Sequence, residues 1–370
     1  MSSRGSGARL SDQPLNLKEG HDMHRRLLNR AIIGSLVACA LVLLPAAPAW
    51  AQGDGPRTYH KGPAGTNAIT VWMLNMGGNT SAFNPNLIAG DQVSIDSTVY
   101  LLTYLRFFNV FGRASQAMIT APTGSISAEI EGFNPLPLDI SSSGFADPVA
   151  IWSVNMLGAP AMDLKQYMAW KQRTILDLNL AVTFPLGDYD PDRALNLGTN
   201  RWTVRLGTPF VQSFGDFTPG KRTTLELFPS VSLFSDNDER WPDGATVSQD
   251  PLYRLEAHLT RDLAKGLWGS LDLAMQFAGR TAVDGVESDD SQKSTSAGIT
   301  VGMAISDEMS LQASYGKGLS DPNEGIAGNM FRIKIVYAWN PAVERLKKAQ
   351  RDKLIGEYKE LQEMLDKIRR

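Results

Sequence analysis

The stretch TILDLNLAVTFPLGDYDPDRALNLGTNRW, residues 174–202, contains the pattern that decides the fold. Successive side chains of an extended chain point to opposite faces. Leu176 and Leu178 therefore share one face with the other apolar residues of the first half, while Asp177 and Asn179 point the other way. A polar, turn-rich loop follows, and the alternation then resumes. The pattern predicts two strands joined by a long loop, each strand apolar on one face and polar on the other.

Two neighbouring segments resemble a known family. The loop FPLGDYDPDRALNLGTNRW is similar to a proline-glycine-tyrosine loop of the outer-membrane transporters linked to the meta-pathway of phenol degradation, and GFADPVAIWSVNMLGAP, residues 144–160, resembles the Asp-Pro strand before it. The resemblance implies an outer-membrane barrel for passive uptake of small hydrophobic or aromatic compounds, without a cofactor. The residues that carry it are Pro185, Gly187, Tyr189, Asn200 and Trp202 in the loop, and Asp147 and Pro148 in the strand.

The first 51 residues have the composition of an export signal. Basic residues around Arg25 precede an apolar run at 31–44, and the small-residue site Ala49-Trp50-Ala51 follows. This run is too short to span a bilayer. Because residues 1–22 are polar, we expect translation to start at Met23 and cleavage to follow Ala51.

The chain has a single cysteine, Cys39, which lies inside this signal. Its context, Leu36-Val37-Ala38-Cys39, also fits a bacterial lipoprotein cleavage site, but the apolar run continues beyond it. Cleavage after Ala51 predicts a mature chain without a disulfide or a thiol nucleophile. The net charge of −3 gives no indication of a nucleic-acid partner.

After a polar lead-in at 52–65, which we expect in the periplasm, residues 66–339 contain twelve predicted strands. Their odd-numbered connections are long and polar, whereas the even-numbered ones are mostly short, as expected for an antiparallel transmembrane β-barrel. A soluble sandwich does not sort its loops in this way. The strands are predicted at 66–75, 98–108, 114–121, 147–157, from 174, from 202, and at 222–234, 252–261, 267–277, 294–305, 309–315 and 330–339, with a short helix at 162–171.

The polar faces of these strands carry many charges. An Arg or Lys facing lipid at mid-depth costs roughly 2–4 kcal/mol, so these side chains are expected to line the lumen. They either line an open polar path or form ion pairs that close the barrel. The candidates are Asp177, Asn179, Arg201, Arg205, Glu226, Arg254, Glu256, His258, Asp272, Gln276, Arg332 and Lys334.

Motifs for catalysis or metal binding are weak. His258 has no G-x-S-x-G nucleophile motif to serve, which favours a lumen-lining role. The acidic residues from Asp188 to Asp192 imitate the start of a calcium loop, but Arg193 and Thr199 replace its required Gly and Glu. The sequence therefore predicts neither a metal nor a cofactor.

Residues 340–370 predict a periplasmic amphipathic helix. Asn340-Pro341 forms a good helix start, and Leu354, Tyr358 and Leu361 begin an apolar stripe that continues through Leu365 and Ile368. The helix could form a coiled coil with another copy, contact the cell wall, or remain a solvated appendage.

Three functions remain open at this stage. The first is an outer-membrane channel whose partners are lipid and a small hydrophobic solute. The second is a structural barrel with a closed lumen and a partner-binding helix. The third is an outer-membrane barrel enzyme.

Overall fold

The computed structural model describes residues 53–84, 89, 92–130, 138–218 and 220–369. The predicted signal region lies outside them. The elements are β1 (Asn67–Gly78), β2 (Val93–Val110), β3 (Arg113–Ile130), β4 (Leu138–Phe145), β5 (Val149–Leu157), α1 (Leu164–Ala169), β6 (Thr174–Thr183), β7 (Thr203–Gly207), β8 (Phe210–Phe214), β9 (Thr223–Phe234), β10 (Asn237–Arg240), β11 (Ala245–Gln249), β12 (Leu252–Ala264), β13 (Leu267–Ala278), β14 (Thr281–Val283), β15 (Val286–Glu287), β16 (Gln292–Ala304), β17 (Met309–Gly318), β18 (Gly328–Trp339) and α2 (Pro341–Arg369).

The strands form a closed antiparallel barrel whose wall has twelve strand positions, with β7 and β8 sharing one of them. Their order around the barrel is β1, β2, β3, β5, β6, β7/β8, β9, β12, β13, β16, β17 and β18. β18 returns to β1 over its whole length, from the pair Asn67–Trp339 to the pair Gly78–Gly328. The strand at this shared position is interrupted between β7 and β8 at Pro209, which has no N–H to donate to the neighbouring strand. Closure leaves no open sheet edge, so the backbone can be satisfied inside lipid.

The two faces of each strand differ as the alternation predicts. On β13, Leu271 and Leu273 point out of the barrel and are 63% and 38% exposed, whereas Asp272 between them is 6% exposed. β6 repeats the arrangement, with Leu178 outside and Asp177 inside. The outer apolar band suits hydrocarbon and the inner face is polar.

The two ends of the barrel differ in their connections. At the short-turn end, β2 and β3 are joined through Phe111 (φ 48°) and Gly112 (φ 79°), whose left-handed conformations are those of a tight hairpin turn. α1 and α2 also lie at this end, and the Asp163 side chain caps α1. Long connections occupy the other end, as the sequence predicts.

Three of these long connections contain more strand than expected. A long loop is predicted at 122–143, between the predicted strands 114–121 and 147–157, and this prediction is wrong in part, because β3 continues to Ile130 and pairs with β4 beyond the barrel wall. The loops after β9 and β13 form a separate four-stranded sheet from β10, β11, β14 and β15. Their short polar strands lack the apolar face by which the barrel strands were recognised.

Residues 53–65, expected as a periplasmic lead-in, are called the lumen segment here, because residues 53–61 lie inside the barrel; Ala64 and Gly65 bond to Met162 and Phe107 at the short-turn end. Tyr59 is buried in an interior cluster with Ile175, Val211 and Phe228. Lys61 is buried as well. The expectation was wrong because the segment has no local periodicity and is held by contacts with distant strands.

The C-terminal helix begins where the sequence predicts. The Asn340 side chain accepts the Ala342 N–H at 2.9 Å, which satisfies one free donor of the first turn. Lys347 pairs with Glu308 in the turn between β16 and β17. Within the described residues, no helix combines the length and apolar character needed to cross a bilayer.

Candidate functional site: the barrel lumen

Acidic residues of the barrel wall hold the lumen segment. Glu256 accepts the Asp54 N–H at 3.0 Å, and Glu226 accepts the Arg57 N–H at 3.1 and 3.0 Å. Nearer the short-turn end, Asp177 pairs with Lys61. These wall acids were predicted to line the lumen, and the structure uses them to bind the chain's own N-terminal region.

Basic wall residues hold the same segment from other sides. Arg205 Nη2 lies 2.7 Å from Asp54 Oδ2, and Arg332 Nη1 donates to the Gly53 carbonyl at 3.0 Å. Asp54 also accepts the hydroxyl of Tyr59. Gly53 and Asp54, at the end of the segment farthest from β1, are therefore fixed in the lumen by charged side chains of β7 and β18.

His258 connects Glu256 to a second polar network, since its Nε2 lies 3.8 Å from Glu256 Oε2. Its Nδ1 lies 2.8 Å from Asp272 Oδ1, and Asp272 also accepts hydrogen bonds from Ser270 and Thr300, each at 2.6 Å. A Ser, a His and an Asp thus lie together, but Ser270 is bound to Asp272 and not to His258. The arrangement does not activate a serine hydroxyl in the way of a hydrolase triad.

The remaining predicted lumen residues point inward with different partners. Arg201 donates to Gln249 at 2.7 Å and stacks over Phe234. Lys334 Nζ lies 4.3 Å from the ring centre of Trp72. Asn179 is fully buried, and neither of its amide atoms has a hydrogen-bond partner among the residues that the structure describes.

Arg254 and Gln276 form a pair on β12 and β13. Arg254 Nη2 donates to Gln276 Oε1 at 2.9 Å. Both side chains point into the lumen toward the long-loop end, above the fixed end of the lumen segment. Arg254 also borders a cavity.

This cavity has a volume of about 310 Å³ and lies between the lumen segment and the long loops. Gly53, Asp54 and Thr58 form its floor. Its walls are mainly apolar, and this volume is within the usual size range for sites that bind small molecules. The apolar wall includes Leu74, Val99, Leu101, Met118 and Ile151, and the polar wall includes Thr203, Arg205, Ser232 and Arg254.

The sequence did not identify the apolar wall. On β2, Val99 and Leu101 point inward while Tyr100 and Leu102 point outward, so both faces of the strand are apolar. Alternation gives no direction when both faces have the same character. Large apolar side chains on both faces of β2 nevertheless indicate that the inner face at this place is not polar.

The two stretches that carry the family resemblance are bonded to each other above the cavity. Asp147 accepts the Gly187 N–H at 2.8 Å, and the backbone and side chain of Thr199, each at 2.7 Å. The Pro148 carbonyl accepts the Phe184 N–H at 3.0 Å. Asp147 and Pro148 thus fasten both ends of the long loop 184–202 to the start of β5.

Other loop residues of the resemblance link it to the four-stranded sheet. Tyr189 donates to the Glu239 carbonyl at 2.7 Å, and Asn200, at φ 52°, donates to Asn237 at 2.9 Å. Trp202 contacts Phe184 edge to face. The loop is therefore a packed cover at the long-loop end.

The acidic residues that imitate a calcium loop bind protein groups. Asp188 accepts the Phe145 N–H at 2.7 Å, and Asp190 pairs with Arg193 at 3.1 Å. Within the described part of the chain, no group of three potential metal ligands comes together.

The apolar outer band, polar interior and unequal ends define a transmembrane β-barrel of the outer-membrane type. The chain belongs to the family described as "Putative MetA-pathway of phenol degradation", whose model matches residues 75–332. The family and the two loop motifs thus agree on one identification.

Solved structures with a similar fold include an outer membrane channel from Pseudomonas putida F1, with 21% identity and a TM-score of 0.64, over 78% of this chain and 100% of that chain. The β domain of the Bordetella autotransporter BrkA has 12% identity and a TM-score of 0.43, over 75% and 100%. A Pseudomonas aeruginosa FadL homologue has 9% identity and a TM-score of 0.32, over 74% and 88%. No curated protein sequence matches the chain.

Proposed function

We propose that this barrel takes up small hydrophobic or aromatic compounds passively through its lumen. The observation that carries the proposal is the cavity. Its apolar wall inside an otherwise charged lumen favours contact with a hydrophobic solute and does not favour an ion. Met118 and Ile151 face the cavity from two neighbouring strands, β3 and β5. Passage beyond the cavity requires the lumen segment to shift from its present position.

A second candidate is a structural barrel with a closed lumen. The buried pair of Lys61 and Asp177 favours it, since a fixed ion pair near the short-turn end of the lumen obstructs the passage and supports the barrel wall. In this case the helix α2 provides the functional surface. The two candidates differ in whether any solute crosses the barrel.

Uptake of the neutral dye N-phenyl-1-naphthylamine by intact Gram-negative cells tests the proposal, because the dye fluoresces strongly once it reaches an apolar interior. Cells that produce the wild-type barrel should accumulate the dye several times faster than cells that do not. Equal rates in the two kinds of cell would favour the structural barrel.

A cavity-filling variant locates the path. Val99→Trp should slow dye uptake, since Val99 is 2% exposed and lines the cavity. Leu102→Trp is the matched control, because Leu102 lies on the outer face of the same strand and is 56% exposed. If both variants transport at the wild-type rate, the solute does not cross the cavity.

A further inference from the structure

We propose that the cavity binds amphipathic organic anions, with the anionic group on Arg254 and the apolar body against the opposite wall. This inference rests on the proposed uptake function and specifies its substrate class.

Among the described residues, no Asp or Glu forms an ion pair with the Arg254 side chain, although Glu256 and Asp54 are near enough to attract its charge. Its one hydrogen bond among the described residues runs to the neutral amide of Gln276. By contrast, Arg57 pairs with Asp262, and Arg205 pairs with Asp54 at 2.7 Å. Arginine carries five N–H donors, so most of the Arg254 guanidinium remains available.

Other lumen cations without an ion pair have different neighbours. Arg201 stacks on Phe234, Arg332 donates to Gly53 and Ser314, and Lys334 lies over Trp72. None of these three side chains lines the cavity, whereas Arg254 does. A charge enclosed beside apolar groups is stabilised when an anion pairs with it.

Within the described part of the chain, neither of the two acidic residues of the cavity wall, Asp54 and Asp147, forms a hydrogen bond with Arg254. Asp54 is bonded to Arg205 and Tyr59. Asp147 accepts three hydrogen bonds from Gly187 and Thr199. Both carboxylates thus hydrogen-bond to other groups, and Asp54 attracts Arg254 without a direct bond, so the guanidinium can still form a bidentate pair with a ligand carboxylate.

The apolar wall lies on the far side of the barrel from Arg254. Arg254 lies on β12, and Val99 and Leu101 lie on β2. These two strands are six positions apart in the ring of twelve, on opposite sides of the barrel. An apolar cavity of about 150 Å³ holds benzene. The present cavity is about twice that volume and suits a fused two-ring aromatic body.

The experiment compares 1-naphthoate with its neutral analogue 1-naphthalenemethanol. Binding is measured by calorimetry on the barrel in lipid nanodiscs, with empty nanodiscs subtracted. The wild type should bind the carboxylate at least tenfold more tightly. Equal binding of both probes would overturn the inference while leaving uptake of neutral solutes intact.

Arg254→Gln should remove that preference, since Gln cannot supply the charge, and Arg254→Lys should restore part of it. Arg201→Gln is the matched control, because it removes an inward-facing charge outside the cavity and should change both affinities less than twofold. Equal losses for both probes in Arg254→Gln would also refute the inference, since they would indicate a change in cavity shape.

If Arg254→Gln does not give the heat-modifiable mobility of a folded barrel, the wild-type comparison decides alone. Failure of the proposed function has a different signature, in which the wild type takes up no dye in cells and binds neither naphthalene probe.

Discussion

Lys61 Nζ forms an ion pair with Asp177 Oδ2 inside the barrel, and neither side chain is exposed. Asp177 also accepts hydrogen bonds from Ser153 at 3.0 Å and Asn155 at 2.9 Å. One carboxylate on β6 therefore connects the lumen segment to two side chains of the neighbouring strand β5.

Asp177→Asn should loosen the lumen segment, because it leaves the buried ammonium of Lys61 without its counter-charge. Breaking a buried pair in this way costs about 3–5 kcal/mol. We expect faster proteolysis within residues 53–65 and a lower temperature of barrel unfolding. The double change Lys61→Met/Asp177→Leu should recover much of the loss, and a double variant as unstable as the single one would contradict this account.

A disulfide can test whether the segment moves during uptake. A Cβ atom on Gly53 would touch the carboxylate of Glu256, so the pair Gly53→Cys/Glu256→Cys places two thiols close together. The oxidised variant should lose dye uptake, and dithiothreitol should restore it. Glu256→Cys alone controls for the lost carboxylate, and unchanged uptake by the cross-linked barrel would exclude a shift of the segment.

The lipid-facing band predicts a large cost for a charge on β13. Leu273→Arg should destabilise the inserted barrel by about 2–4 kcal/mol, because Leu273 lies at the middle of the strand and faces outward. Leu319→Arg is the matched control, since Leu319 is exposed beyond the end of β17. Refolding into liposomes at graded urea gives both values, and similar costs would contradict a hydrocarbon contact at Leu273.

The orientation of the barrel can be read from inserted epitopes. An epitope after Asp289, in the loop between β15 and β16, should be accessible to antibody on intact cells, because long loops face outward in outer-membrane barrels. An epitope after Lys265, in the turn between β12 and β13, should become accessible only after permeabilisation. The opposite pattern would invert the assigned topology.

Removal of α2 should leave the barrel intact. A chain that ends after Asn340 keeps the whole of β18 and the hydrogen bond from Asn340 to Thr66 at 2.9 Å. The contact between Lys347 and Glu308 is exposed and contributes little. Membrane fractionation and heat-modifiable mobility should match the full chain, and loss of the folded band would show that the helix takes part in assembly.

The strands and their faces could be predicted because their information is local. Leu271, Asp272 and Leu273 alternate over three residues, and the cost of a charge in lipid then fixes which face is inside. The lumen segment could not be predicted in this way. Lys61 meets a partner 116 residues away, and no periodicity in the segment indicates that contact.

The cavity required the three-dimensional structure for a similar reason. Arg254 could be predicted as an inward-facing charge from its place on a polar strand face. Whether a carboxylate pairs with it depends on the three-dimensional positions of all the acidic side chains in the lumen. Val99 and Leu101 were hidden by the apolar residues on the opposite face of β2. The sequence thus indicated a charged lumen and missed its apolar side.

The seam between β1 and β18 has a consequence for biogenesis. Asn67 begins the first strand of the barrel and its partner Trp339 ends the last, so this pairing joins the two strands that are most distant in the sequence. Contacts between remote parts of a chain form slowly, because the intervening loop must be closed first. A nascent chain cannot complete this barrel until residue 339 has been exported. Until then both edge strands remain unpaired and need protection from aggregation during the crossing of the periplasm.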